Sequence, residues 1–183
     1  LEGRFVNLRA GRVYPDYDDS ECMCKPFEIG EEYTVMIGQD LNSGFSKGVA
    51  VIKKDKRLYI VRGWSFTEIG QAPSIMRSTY AENEILWFPD TAGKEILKGY
   101  KQEIIDYGIE CRIGRANPKV IDRVFYVNKL FRLGLLKMFE CPETHELSEA
   151  LKTRQYDDSG KPEKGKGEKS PDHFCDALEY VLY

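Results

Sequence analysis

Apolar and polar residues follow a strand-like pattern in the first half of this chain. Tyr33–Gln39 is a buried strand by composition, and Asp40–Gly44 is a typical turn sequence. Gly48–Lys54 and Arg57–Ser65 predict two further strands, which a short turn at Lys54-Asp55-Lys56 joins. We therefore expect an antiparallel three-strand meander, followed by a helix over Gln71–Ala81.

The second half alternates short apolar runs with segments of helical period. Asn117 is expected to cap a helix whose first turn contains Pro118, and Gly108 and Gly134 are expected to end helices. The apolar stripe predicted for that helix is Val120, Ile121, Val124, Phe125, Asn128 and Phe131. The predicted strands are Ile85–Phe88, Ile109–Ile113 and Leu135–Phe139, and the other predicted helices are Lys94–Tyr107 and Glu143–Leu151.

The last segment predicts a helix that Ser170 caps and Pro171 opens. Its buried stripe is expected to be Phe174, Ala177, Leu178, Val181 and Leu182, with Asp172, Asp176 and Glu179 on the opposite side. A meander, a helix and then strand–helix alternation is the order of a ribonuclease H-like α/β domain. Such a domain has a mixed β-sheet, an antiparallel meander plus parallel strands, with helices on both faces. We expect residues 1–30, where a short strand or hairpin at Phe5–Tyr14 is an option, to be a linker or arm, and residues 31–183 to form the domain.

Residues 152–169 are rich in charge and glycine and contain almost no apolar residues. The segment is predicted to be a mobile loop or β-ribbon within the domain. One interpretation is a solvated surface loop. The other is a basic arm that contacts a phosphate backbone through Lys161, Lys164, Lys166 and Lys169.

Composition narrows the class of protein further. With 183 residues, 27 basic and 30 acidic, the chain has a net charge of −3, which is no nucleic-acid footprint by itself. No apolar run approaches the roughly 20 residues of a membrane span, and no signal peptide is visible. The first residue is Leu1, so we expect a fragment or a processed chain. The five scattered cysteines favour a reducing compartment, and Cys22-x-Cys24 lacks the second pair that a zinc site needs. Cys175 is expected to be half-buried.

Three carboxylates are the strongest chemical signal. Asp40 and Asp90 end apolar runs, and Asp176 lies on the final helix. Each has an ordinary alternative: Asp40 as a turn former, Asp90 as a helix cap and Asp176 as an exposed acid. Together they predict a site for two Mg²⁺ or Mn²⁺ ions, because hard cations prefer oxygen ligands. Two ions about 3.5–4 Å apart hydrolyse phosphodiesters, and Asp40, at the end of the central strand, is expected to bridge them.

The chain has two histidines. His173 lies three residues before Asp176 and is interpreted as a residue that tunes a ligand, contacts DNA or relays a proton, or else as an ordinary first-turn residue. His145 is expected to be structural or solvated.

Other chemistries find less support. Gly93-Lys94 is followed by Glu95, so there is no phosphate-binding loop of the nucleotide-hydrolysing motors. The chain also lacks a Gly-x-Ser-x-Gly elbow and an identifiable base for a cysteine nucleophile.

These residues resemble the C-terminal nuclease domain of the large terminase subunit of tailed bacteriophages. The resemblance covers essentially the whole chain, and its most specific motif is the closing Asp-His-x-x-Asp-Ala; Glu149, Tyr156 and Lys119, which is expected near DNA, also fit. The four motifs are Gly3-Arg4-Phe5 through Gly11-Arg12-Val13-Tyr14, Gly38-Gln39-Asp40 with Gly48-Val49-Ala50-Val51, Pro89-Asp90-Thr91-Ala92, and Asp172-His173-Phe174-Cys175-Asp176-Ala177-Leu178-Glu179-Tyr180.

The resemblance implies a Mg²⁺- or Mn²⁺-dependent endonuclease that cuts concatemeric double-stranded viral DNA in the host cytoplasm. Asp40, Asp90 and Asp176 are the implied metal ligands, with His173 at the site. The implied partners are DNA, the terminase ATPase domain, the portal protein and the small terminase subunit, with no membrane. Two alternatives stay open: another ribonuclease H-like nuclease such as a resolvase, transposase core or exonuclease, and a non-catalytic module that docks on DNA or portal.

Overall fold

The computed structural model describes residues 11–42, 44–165 and 167–183, apart from the side chain of Ala92. These residues form one seven-stranded sheet in the order β1-β7-β4-β3-β2-β5-β6. The strands are β1 (Met23–Cys24), β2 (Val35–Asn42), β3 (Phe45–Lys54), β4 (Arg57–Phe66), β5 (Ile85–Pro89), β6 (Ile109–Cys111) and β7 (Leu136–Phe139).

The centre of the sheet is the predicted meander. β2, β3 and β4 pair antiparallel, while β5 runs parallel to β2 and β6 runs parallel to β5. On the other side, β7 pairs parallel with β4 and β1 pairs parallel with β7. The sheet is therefore mixed, with an antiparallel meander plus parallel strands, as predicted. β2 is longer than expected, since it continues through Asp40 to Asn42.

Most helices lie where the sequence predicts them, but two of the predictions about helix bounds are wrong. The helix predicted over Lys94–Tyr107 is two shorter helices, which separate at Gly99 and Tyr100. Asn117 caps no helix, because the next helix begins at Val120. No helix in the described ranges is both long and apolar enough to cross a bilayer. The helices are α1 (Asp19–Cys22), α2 (Ala72–Thr79), α3 (Lys94–Lys98), α4 (Lys101–Asp106), α5 (Val120–Arg132), α6 (His145–Thr153) and α7 (Asp172–Leu182).

Each face of the sheet has its own apolar core. α2, α3 and α4 cover one face, and α5, α6 and α7 cover the other. The stripe predicted for α5 is wrong in part, since Ile121 and Phe125 are 48% and 66% exposed. The helix is rotated so that Arg123 turns inward, where it forms an ion pair with Glu179. The buried face of α5 consists of Arg123, Val124, Val127, Leu130 and Phe131.

The described part of the predicted arm belongs to the core. Val13, Tyr14 and Tyr17 are fully buried, and β1 is a strand of the sheet. The boundary at residue 31 is therefore corrected for residues 11–24, because their side chains pack against α5 and α6. Residues 1–10, including most of the predicted hairpin Phe5–Tyr14, lie outside the described residues. The loop predicted over residues 152–169 starts later, since α6 ends at Thr153, and contains an isolated bridge between Tyr156 and Pro162.

Helix α7 crosses the sheet in contact with β2, β3 and β5. It comes very near β2 at Gly38, where an added Cβ would lie 2.0 Å from the carbonyl oxygen of Ala177. The polar side of α7 is also buried, since Asp172, Asp176 and Glu179 are buried together with the apolar stripe. Ser170 does not cap the helix, and Pro171 occupies the N-cap position without a side-chain hydrogen bond.

We predict that Gly38→Ala destabilises the fold by about 3 kcal/mol, the upper end of overpacking costs, because the new methyl group meets helix backbone that cannot move aside. Urea unfolding followed by circular dichroism measures this change. Gly99→Ala is the matched control, since its added Cβ would lie 3.4 Å from its nearest neighbour, the Ile96 carbonyl oxygen, and its φ is −66°. Equal midpoints for the two variants would contradict the prediction.

Candidate functional site

Asp40 and Asp90 lie side by side on two parallel neighbours of the sheet, Asp40 near the end of β2 and Asp90 directly after β5. The register pairs Gln39 with Pro89, and the Asp90 amide donates to the Gln39 carbonyl oxygen at 3.0 Å. Residues in register on neighbouring strands point to the same face of a sheet. Since Gly38, two residues before Asp40, faces α7, both carboxylates are on the face that α7 covers.

Asp176 reaches this place from above the sheet. It precedes Ala177, whose carbonyl oxygen lies over Gly38. Asp40, Asp90 and Asp176 are 7%, 6% and 7% exposed. The same face of the sheet, near the carboxyl ends of β2 and β5, therefore carries three nearly buried acids. Burial is the main cause that raises the pKa of Asp176, Arg154 lowers it, and the charge of Asp40 raises it further. The negative charges of Asp40 and Asp176 therefore repel each other.

Each carboxylate also has a partner within the protein. Asp40 Oδ2 accepts from Asn42 Nδ2 at 2.6 Å and lies 2.9 Å from His173 Nδ1. Asp90 Oδ1 accepts from the Gly93 amide at 2.9 Å, so Asp90 caps the short 3₁₀ turn Thr91–Gly93 that leads into α3 and does not cap α3 itself. Asp176 Oδ1 lies 3.0 Å from Arg154 Nη2. Asp40 is not a turn residue and Asp176 is not exposed, so the ordinary alternatives for these two are wrong.

His173 connects the site to the charged loop. Its Nδ1 faces Asp40, and its Nε2 lies 3.1 Å from the Gly167 carbonyl oxygen. The hydrogen bond to Asp40 is the main cause that raises the pKa of His173, against the opposing effect of burial. Both oxygens accept hydrogen bonds, so the protonated ring satisfies both contacts. The imidazole ring also packs edge-on against the Phe45 ring, with 4.9 Å between the ring centroids. His173 therefore contacts a predicted metal ligand from the first turn of α7, and its role in the site stays a prediction.

The carboxylates suit a divalent cation by their chemistry. Their ligand atoms are all oxygen, and a cation between Asp40 and Asp176 would relieve the repulsion between them. Within residues 11–42, 44–165 and 167–183, however, no three His, Cys, Asp or Glu side chains converge on one point as ligands. In the present geometry the acids are turned toward their protein partners, and the ligand assignment stays a prediction.

Four of the five predicted DNA-contacting lysines lie within the described residues, and all four are exposed. They are Lys119, Lys161, Lys164 and Lys169, and Lys166 lies outside the described residues. Lys161 and Lys164 line a cavity of about 450 Å³ together with Val120 and Ile121. Asn117, two residues before Lys119, accepts from the Thr91 amide at 3.0 Å, which places this segment next to Asp90.

Sequence reasoning missed several residues around the acids. Lys47 is the cross-strand neighbour of Asp40 and is 4% exposed, with its ammonium group donating to Ser65 and paired with Glu168 at 3.5 Å. The alternation of β3 could have identified Lys47. Arg154 had no such signal, because it follows a helix in a charged segment. Among the other predictions, His145 is exposed as expected, all five cysteines are free, and Cys175 is fully buried instead of half-buried.

In the metal-free protein, we predict that the pKa of His173 lies above the ordinary 6.5 and falls on Asp40→Asn, because the variant removes the charged acceptor. Since the folded state favours protonation, the contact stabilises the fold below pH 6.5 and loses this effect as pH rises through the raised pKa. Titration of the imidazole resonances by NMR measures this shift. A His173 titration that is the same in both proteins would contradict the prediction.

Comparison with known proteins identifies the fold. No protein-family model matches the sequence, and no curated protein matches it. The nuclease domain of the phage P22 large terminase has a TM-score of 0.71 at 20% identity over 93% of this chain and 90% of that one. The large terminase of a thermophilic bacteriophage gives 0.75 at 14% identity over 94% of this chain and 45% of that one.

A third solved structure adds a metal. The large terminase nuclease domain of bacteriophage SPP1, solved with bound Mn, has a TM-score of 0.61 at 15% identity and covers 93% of this chain and 97% of that one. The chain spans nearly all of the two isolated nuclease domains and just under half of the thermophilic phage protein. This chain therefore has the ribonuclease H-like fold of phage large terminase nuclease domains, and the resemblance drawn from its motifs is confirmed in the fold.

Proposed function

We propose that this chain is a divalent-metal-dependent endonuclease that cleaves concatemeric double-stranded viral DNA during genome packaging. One observation carries the proposal: Asp40 and Asp90 lie on the face of the sheet that the Asp176 helix covers, in a fold shared with terminase nuclease domains. The bound Mn of the SPP1 domain supports a divalent ion as the cofactor, and we propose two Mg²⁺ or Mn²⁺ ions.

In this proposal the three carboxylates hold the ions, with Asp40 between Asp90 on the next strand and Asp176 on α7. The bound ions would supply an activated water and stabilise the leaving 3′ oxygen. His173 donates to Asp40 and so orients that carboxylate, while its Nε2 proton stays on the side of the charged loop. The nearly complete burial of the acids limits the water that competes for them.

The exposed lysines beside the site are proposed to hold the DNA backbone. Lys119 lies on the segment that contacts the residue after Asp90, and Lys161 and Lys164 lie on the loop whose end reaches His173. Lys166 and Lys169 belong to the same loop. Ammonium groups neutralise phosphates without reading sequence, which suits an enzyme that cuts at many positions.

The proposed partners follow from the similar proteins. Because the chain matches 45% of the large terminase from the thermophilic phage, a terminase ATPase domain is proposed as a partner in a longer subunit. The portal protein, the small terminase subunit and a location in the host cytoplasm complete the packaging role that we propose.

A non-catalytic docking module is the second candidate, and one observation favours it. No three metal-binding side chains converge within the described ranges, and Asp176 contacts an arginine where a nuclease needs a metal ligand. A resolvase or exonuclease on the same fold differs in substrate, since it acts on four-way junctions or on ends.

We predict that the chain nicks supercoiled plasmid with Mn²⁺ or Mg²⁺ and that EDTA abolishes nicking. Asp40→Asn, Asp90→Asn and Asp176→Asn should each lower the rate at least about 100-fold, because each removes the charge of a ligand. Asp55→Asn is the matched control, since Asp55 is exposed in the turn at the far end of β3 from the site. A gel assay of circular, linear and junction DNA also separates the alternatives, because a closed circle has no ends.

Metal-dependent nicking that survives all three substitutions would place the chemistry elsewhere. A wild-type chain that neither cuts nor binds Mn²⁺ by calorimetry would favour the docking module. Cleavage confined to junctions or to ends would replace the packaging endonuclease with a resolvase or exonuclease.

We also predict that Lys161→Ala, Lys164→Ala and Lys166→Ala together weaken DNA binding and flatten its salt dependence. The slope of log affinity against log salt should fall by up to about 0.9 for each phosphate that the loop no longer neutralises. Fluorescence anisotropy at several salt concentrations measures the slope. The control is the triple alanine variant of Lys53, Lys56 and Lys101, which are exposed away from the site. An unchanged slope in the loop variant would remove the proposed role.

A further inference from the structure

Four side chains form a buried ion cluster behind Asp176. Arg154, Glu179 and Tyr14 have almost no exposed surface, at 1%, 0% and 0%, and Arg123 is 2% exposed. The four residues come from distant places in the chain: the segment before α1, helices α5 and α7, and the residue after α6. Charged groups in such a place cost desolvation free energy, so their partners and orientation decide what they do.

Arg154 connects two acids of one helix. Its Nη2 forms an ion pair with Asp176 Oδ1 at 3.0 Å that lacks hydrogen-bond geometry, and its Nη1 donates a hydrogen bond to Glu179 Oε1 at 3.3 Å. Asp176 and Glu179 are three residues apart on α7, so they project from the same side of the helix. The planar guanidinium can span both acids with a fixed geometry, which the single ammonium group of a lysine cannot.

The other members of the cluster hold Arg154 in place. The Tyr14 hydroxyl donates to Glu179 Oε1 at 2.5 Å, and Arg123 Nε lies 3.2 Å from Glu179 Oε2. The backbone of Arg154 is fixed as well, because its carbonyl oxygen accepts from the Val13 amide at 2.9 Å and its amide donates to the Ala150 carbonyl oxygen at 3.0 Å. Glu179 is therefore an anchor, and Arg154 has little freedom to leave Asp176.

We propose that Arg154 is a positioning residue, which holds the Asp176 carboxylate in the orientation that the site needs while Glu179 and Tyr14 anchor the guanidinium from behind. The inference rests on the proposed function, since it assigns a purpose to the orientation of a predicted ligand. Charged groups that contact a metal ligand from behind orient it, and removing such a contact costs about 10- to 100-fold in metal affinity or activity.

A purely structural ion pair is the competing explanation, and Arg154→Lys separates the two. The variant keeps one positive charge in the cluster, so the fold is retained, but it cannot span Asp176 and Glu179. We expect the nicking rate at saturating DNA to fall about 10- to 100-fold, or the Mn²⁺ concentration for half-maximal rate to rise by that factor, with the KM for DNA unchanged. Arg62→Lys is the control, because Arg62 forms a partly exposed pair with Glu143 at 3.4 Å.

The thermal midpoint of each variant is measured alongside its kinetics. If Arg154→Lys does not fold, Arg154→Gln with Glu179→Gln removes one charge of each sign together and should show the same loss. A folded variant of either kind that keeps the wild-type rate and Mn²⁺ requirement within about twofold would overturn the positioning role.

The outcome also separates this inference from the proposed function. A wild-type chain that binds Mn²⁺ without cutting leaves Mn²⁺ affinity, by calorimetry, as the deciding measurement: about 10- to 100-fold weaker binding in Arg154→Lys supports the role, and equal binding overturns it. A wild-type chain that neither binds Mn²⁺ nor cuts overturns the proposed function, and the positioning role with it.

Discussion

The close approach of α7 to β2 at Gly38 is the constraint on which the site depends. The absence of a side chain at Gly38 lets the Ala177 carbonyl approach the strand, and the next residue toward the start of the helix is Asp176. Two residues further along β2 is Asp40, and the parallel pairing with β5 brings Asp90 beside it. One packing contact and one strand register therefore bring together acids that are far apart in the chain.

Bringing three acids together in a nearly buried place raises an electrostatic problem, which the surrounding residues reduce in three different ways. Asp40 faces a histidine whose pKa it raises, Asp90 accepts from a backbone amide, and Asp176 faces an arginine. Burial also raises the pKa of Glu179 to about 7, with Arg154 and Arg123 opposing this effect. Asp40 and Asp90 each accept a hydrogen bond and Asp176 forms an ion pair, and a divalent cation would add a positive charge that the acids share.

The sequence predicts the strands and the last helix well because local period determines them. The meander is confirmed, and Asp90 follows directly after β5 as expected. Asp40 is near the end of β2, which continues for two more residues to Asn42. The rotation of α5 could not be predicted in the same way. An apolar stripe through Ile121 and Phe125 competes with one that includes Arg123, and only the long-range partner Glu179 decides between them. Buried ion pairs break the rule that charged residues mark the solvent face.

The same argument places the boundary of the functional unit earlier than composition suggests. Glycines, prolines and acids before residue 31 are typical of a linker, yet Tyr14 donates to Glu179, and Val13 fixes the backbone of Arg154. Both hydrogen bonds join the segment before α1 to residues immediately behind Asp176. A domain that began at residue 31 would keep all three candidate ligands but lose one anchor of the arginine that contacts the third. The segment from residue 11 onward is therefore part of the structure that supports the site, because its hydrogen bonds to Glu179 and Arg154, and not its composition, determine where it belongs.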